Sequence, residues 1–298
     1  MIASILALLL VAAGATKDPK NFWDHWGDGK AELSSYKLTI PRYGEFREGH
    51  SVMIFVTEDV SRKTRIKVES QDVPQGERVP VLKLNRVVKF NTGIYDYSVM
   101  TSVFSAVEKE FGRDYFGPMK ISFTAQEWCG HVFQMLLPHE DEAQLEMHSY
   151  FQSEGDQRRE IDLPTDAMYE DNLPIWIREL KGEVLQVGEK REIKILPSLW
   201  QLRAGHVKAA FKKGWIQKEE AGQIEALDSQ IDAWKWTWKI DDRTETWCVE
   251  KAAPSRILKF SSSDGTRGEI MKSVRLPYWQ LHDNDDLHYR SELGVSGK

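Results

Sequence analysis

Cysteine is nearly absent: Cys129 and Cys248 are the only two in 298 residues, which excludes a disulfide-stapled scaffold. No block of five or six basic residues occurs, so the electrostatic footprint of nucleic-acid binding is missing and no nucleic-acid partner is expected. No apolar run approaches the roughly 20 residues needed to cross a bilayer as a helix. Motifs with a built-in mechanism are missing too. There is no Gly-x-Ser-x-Gly, no His-Glu-x-x-His, no phosphate-binding glycine loop and no dinucleotide fingerprint, so no cofactor is expected and an enzyme is less expected than a binding protein. What remains is an ordinary globular composition, 41 % hydrophobic and 29 % charged, with a formal charge of -6. A chain of this length can bury a real core without staples.

Residues Ile2 to Ala13 form a short apolar run ending in Ala13-Gly14-Ala15, small residues suited to signal peptidase, with polar sequence from Thr16. This predicts a signal peptide over 1–15 and a mature, soluble chain over 16–298 that is periplasmic or secreted. The n-region carries no Lys or Arg, so an uncleaved anchor or a misassigned start stays open. Asp18-Pro19 is a helix start that places Phe22, Trp23 and Trp26 on one face.

From Tyr36 the texture becomes β-rich. Tyr36–Ile40, Ser51–Thr57, Arg65–Val68, Val79–Leu84 and Lys120–Thr124 read as strands punctuated by Gly, Pro and Asp. Near the C-terminus Trp234, Trp236, Trp238 and Ile240 alternate with Lys235, Thr237 and Lys239, one face buried and the other wet. Asp241-Asp242-Arg243 turns this strand into a meander of hairpins running to Leu276. Leu173–Leu180 reads as a helix with Asn172 as its cap, whereas Lys212–Ala233 is ambiguous between helix and strand. The fold class predicted is mainly β, a curved antiparallel sheet, half-barrel or sandwich with a few short helices. It forms a single domain over 16–298, or two halves, 16–165 and 166–298.

Several stretches carry a resemblance: Arg42-Tyr43-Gly44-Glu45-Phe46-Arg47-Glu48-Gly49, Phe55-Val56-Thr57-Glu58-Asp59, Pro80-Val81-Leu82-Lys83-Leu84-Asn85, Thr92 to Phe104, Gln126-Glu127-Trp128-Cys129-Gly130-His131, His148-Ser149-Tyr150-Phe151 and Leu276-Pro277-Tyr278-Trp279. Over nearly the whole mature chain they resemble a family of uncharacterised secreted bacterial proteins without an established activity. The C-terminal half is similar to envelope domains whose curved antiparallel sheet is like that of periplasmic lipoprotein carriers. The turn of that pattern would fall on Ala226-Leu227-Asp228-Ser229-Gln230-Ile231, without its usual Gly. The resemblance implies strand for the ambiguous stretch and an exported envelope protein.

Two constellations could carry function. If the strand from Ile121 runs unbroken to Phe133, Glu127, Cys129 and His131 share one face, and His148 on a return strand could join them. Cys with His can make a nucleophile, and Glu, Cys and His can ligate zinc. Same-face neighbours lie about 6.5 to 7 Å apart, too far for a direct Cys–His bond without a bend at Gly130, and a packed Cys beside a hydrogen-bonded His satisfies the same pattern. The second constellation is Trp234, Trp236 and Trp238, in a chain with eleven Trp. They form either core or the wall of a groove for a lipid or other hydrophobic ligand, and exposed Trp can also stack on sugars.

Overall fold

The computed structural model describes residues 21–295; the apolar run, the cleavage site and Asp18-Pro19 lie outside them. The chain is mainly β. It forms one large, open, curved sheet of fifteen strands. In chain order these are β1 (Ala31–Arg42), β2 (Glu45–Ser61), β3 (Arg78–Thr92), β4 (Tyr95–Ala106), β5 (Pro118–Glu127), β6 (Gly130–Pro138), β7 (Glu142–Ser149) and β8 (Gln157–Asp162), then β9 (Ala167–Tyr169), β10 (Lys190–Leu196), β11 (Lys212–Ala226), β12 (Ser229–Ile240), β13 (Arg243–Glu250), β14 (Ile257–Ser262) and β15 (Arg267–Leu276). Two runs of consecutive neighbours, β1 to β8 and β9 to β15, join where β1 pairs antiparallel with β15. All pairs are antiparallel except β9 with β10.

Hairpin turns explain much of this order. Tyr43 and Gly44 between β1 and β2 both take positive φ, 55° and 77°, the twist that matches paired strands. Between β11 and β12 the same role falls to Leu227 and Asp228, at 50° and 58°. A glycine is therefore dispensable there, and the Lys212–Ala233 stretch is strand on both sides of this turn. Arg65–Val68, expected as a strand, is a loop touching Val60 through one isolated bridge. The reason is local: Arg65 turns left-handed at φ 56° and its N–H donates to the Ser61 carbonyl.

The concave face carries the main core, drawn from both halves: Tyr36, Leu38, Phe55 and Phe123 meet Trp236, Trp238, Ile216 and Trp247. Helix α1 (Asn21–Trp26) lays Phe22 and Trp26 into it and leaves Trp23 exposed. The segment after β9 crosses the same face as a short 3-10 turn and α2 (Leu173–Trp176). The helix expected to reach Leu180 stops early because its continuation has partners elsewhere. Arg178 is fully buried, donating to Glu32 and to the carbonyls of Pro254 and Ser255 over the Phe55 ring. Glu179, left-handed at φ 52°, reaches Lys218. Asn172 does not cap α2: its side chain accepts from Ser105 and donates to the Phe116 carbonyl. On the convex side Leu293 and Val295 cover Ala31 and Leu33, so β1 is buried on both faces.

Candidate functional site

Alternation along β3 points Leu84, Arg86 and Val88 to the concave side, and along β13 it points Glu245 and Trp247 there. Curvature brings these distant strands to one pocket, lined also by Leu38, Val99, Val103, Glu170, Asp171, Trp238, Arg243 and Phe260. Its cavity measures about 70 Å³, room for a few water molecules at roughly 10–15 Å³ each. Anything larger has to displace a wall. One wall is α3 (Leu199–Ala204), whose Trp200 packs 6.4 to 6.5 Å from the rings of Phe90, Tyr97 and Phe123. Gln201 ties α3 to Asp264, and Arg203 and His206 tie it to Glu154.

Part of the pocket wall is apolar and aromatic. Trp247 stacks on Phe260 at 4.7 Å and lies 5.6 Å from Trp238. Gly268 makes the Phe260 position available, since a Cβ there would come within 2.2 Å of the ring. Against these rings lie three carboxyls and two guanidiniums. Glu170 accepts from the Ser198 N–H, the Trp238 indole and Arg243; Arg243 also bonds Glu245, which accepts from the Trp247 indole. Asp171 accepts from the Leu199 N–H at 2.9 Å, so Glu170 and Asp171 together satisfy the start of α3. Burial pushes the Asp171 carboxyl up to about 7, and burial with Glu170 beside it pushes Glu245 up to about 7. Two carboxyls that exchange protons near neutrality, enclosed beside an apolar surface, can bind a polar group in either protonation state or pass a proton to it.

The Trp triad divides. Trp238 lines the pocket, whereas Trp236 is fully buried against Trp176 at 5.7 Å. Trp234 is half-buried beneath the ammonium groups of Lys218 and Lys251.

The Glu127 constellation is rearranged by a turn. The strand does not run through to Phe133: β5 ends at Glu127 and β6 begins at Gly130, with Trp128 and Cys129 at the tip. Because Glu127 pairs with Gly130 and Gln126 with His131, Glu127 faces the concave side and His131 the convex side. Cys129 is exposed rather than packed, its N–H donating to Glu127 at 2.6 Å, and that carboxylate pushes the thiol pKa up. A nucleophile requires the opposite shift. His148 pairs with Phe133, so it shares the convex face with His131 around a shallow depression. It is held by Glu146 and Asp156, which raise its pKa. Among the described residues no group of three or more His, Cys, Asp or Glu side chains is placed to hold a metal ion. Cys129 and Cys248 are both free thiols.

Arg86, Glu170, Asp171, Arg243 and Glu245 escaped sequence reasoning. The signal available was a charge at an inward position of an alternating strand, Arg86 between Leu84 and Val88 or Glu245 before Trp247. No protein-family model, curated protein or solved structure matches the chain.

Proposed function

We propose that the protein is a non-enzymatic binder or carrier of a small hydrophobic ligand, held on the concave face between β3, β4, β13 and α3. The observation that supports this reading is the pocket itself: an apolar and aromatic lining on which a set of charged groups converges, as small-molecule sites combine them. It is further proposed to act outside the cytoplasm, on the strength of the Ile2–Ala13 run and the Ala13-Gly14-Ala15 site.

The test is titration with the apolar dye N-phenyl-1-naphthylamine, read by dye emission and Trp quenching. Wild-type protein is expected to bind, Val99→Trp to lose binding by filling the pocket, and Trp236→Ala to keep it. Equal binding by wild type and Val99→Trp would place the dye elsewhere and remove this reading. Recovery of the chain with Met1 intact from a cytosolic fraction would remove the export part.

A further inference from the structure

Among the described residues, Arg86 is the one charged group of the pocket whose charge finds no partner. Arg86 is half-buried, and its Nε is a buried donor without an acceptor. No carboxylate among those residues lies within ion-pair distance of it, although Glu170, Asp171 and Glu245 share the cavity. Each of those carboxyls already has protein donors, and Arg243 is paired with Glu170 and Glu245. What touches the Arg86 plane is aromatic: Phe260 at 5.0 Å and Trp247 at 5.6 Å. Such faces hold a guanidinium by its plane and leave the hydrogen-bonding edge free. A buried donor without an acceptor is costly, and a carboxylate offers the bidentate geometry that this edge matches.

We propose that the ligand is an apolar carboxylic acid, its carboxylate received by Arg86 and its body lying on Trp247, Phe260 and Trp238. This rests on the pocket reading above and specifies its ligand class. The groups facing Arg86 from the surrounding elements are Glu170 and Asp171 after β9, Arg243 and Glu245 on β13, and Tyr36 on β1. Tyr36 stays neutral, its pKa pushed far up by burial. Protons on Asp171 and Glu245 reduce the negative charge that faces the two arginines and leave positive charge for the ligand. As those two carboxyls ionise around pH 7, that charge is lost.

The experiment compares octanoate with 1-octanol by calorimetry at pH 6 and pH 8, in wild type and Arg86→Leu. Octanoate is expected to bind wild type at least tenfold more tightly than 1-octanol at pH 6. That advantage should shrink at pH 8, and it should vanish in Arg86→Leu while 1-octanol binds within twofold of wild type. Retained 1-octanol binding shows that the variant is folded; if it is lost, the wild-type comparison of acid with alcohol decides alone. Octanoate no tighter than 1-octanol, or undiminished in a variant that still binds 1-octanol, overturns the Arg86 assignment and leaves the pocket reading intact. Failure of octanoate, 1-octanol and the dye alike overturns both.

Discussion

Replacing Lys218 with Met should destabilise the protein by about 3–5 kcal/mol, the cost of stripping a buried ion of its partner. Lys218 sits inward on β11, 1 % exposed, and its ammonium donates to both oxygens of Glu179 at 3.0 and 2.8 Å, to Glu183 at 2.8 Å and to the Leu185 carbonyl at 3.1 Å. Methionine matches the aliphatic stem and leaves Glu179, 5 % exposed, as an uncompensated anion. Glu183 is 43 % exposed and adds at most about 1 kcal/mol. The double variant Lys218→Met with Glu179→Gln separates charge from packing. The amide introduced by Glu179→Gln keeps an acceptor for the Val184 N–H, which now lies 2.9 Å from Glu179 Oε1, while removing the buried charge. The double variant should therefore recover most of the loss, ending about 1–2 kcal/mol below wild type, the scale of the hydrogen bonds still missing. Urea unfolding followed by Trp fluorescence and far-UV circular dichroism measures both. A single-variant loss below about 1 kcal/mol, or a double variant no better than the single, would refute the claim that a desolvated charge pair anchors the segment after α2.

Trp236→Ala should cost about 3–5 kcal/mol in urea unfolding, because it empties a fully buried site against Trp176. Asn172→Ala should cost about 1–3 kcal/mol by orphaning Ser105 and the Phe116 carbonyl, and restoring helix propensity elsewhere in α2 should not rescue it. Asp171 and Glu245 hold their protons in the folded protein to about pH 7 but release them at about pH 4 when unfolded, so their contribution to stability falls as pH rises between those limits and is flat above. Each tenfold difference in proton affinity between the two states is worth roughly 1.4 kcal/mol. Asp171→Asn and Glu245→Gln should therefore each flatten the difference between unfolding at pH 5 and pH 8; unchanged slopes in both would contradict the burial argument. Cys129 should alkylate slowly at pH 7 in the folded protein and faster in Glu127→Gln, with Cys248 unreactive until urea is added.

The strands with strict alternation were legible in the sequence, and the Trp234–Ile240 run ends at the Asp241-Asp242 turn as its pattern requires. Local signals failed where a distant partner decided the outcome. Arg178 and Glu179 end a helix that propensity would extend, because Glu32 and Lys218 bind them. The Glu127–His131 face was misplaced by a two-residue reversal that period-two counting runs straight through. The pocket was the hardest part to foresee. Its charges come from β3, the turn after β9, and β13, and only the strand order and curvature of the sheet make them neighbours.

That strand order also governs how the chain can assemble. Most pairings are hairpins between consecutive strands, which close short loops and form quickly. Besides the parallel β9–β10 pair, the exception is the central seam, where the first strand waits for the last. As the polypeptide emerges in order, the β1–β8 meander can form while β1 still presents an unpaired edge along its whole length. Such an edge is a template for other strands. The interval before β15 is complete is thus when this protein is most exposed to wrong partners, and slow synthesis between Asp162 and Arg267 lengthens it.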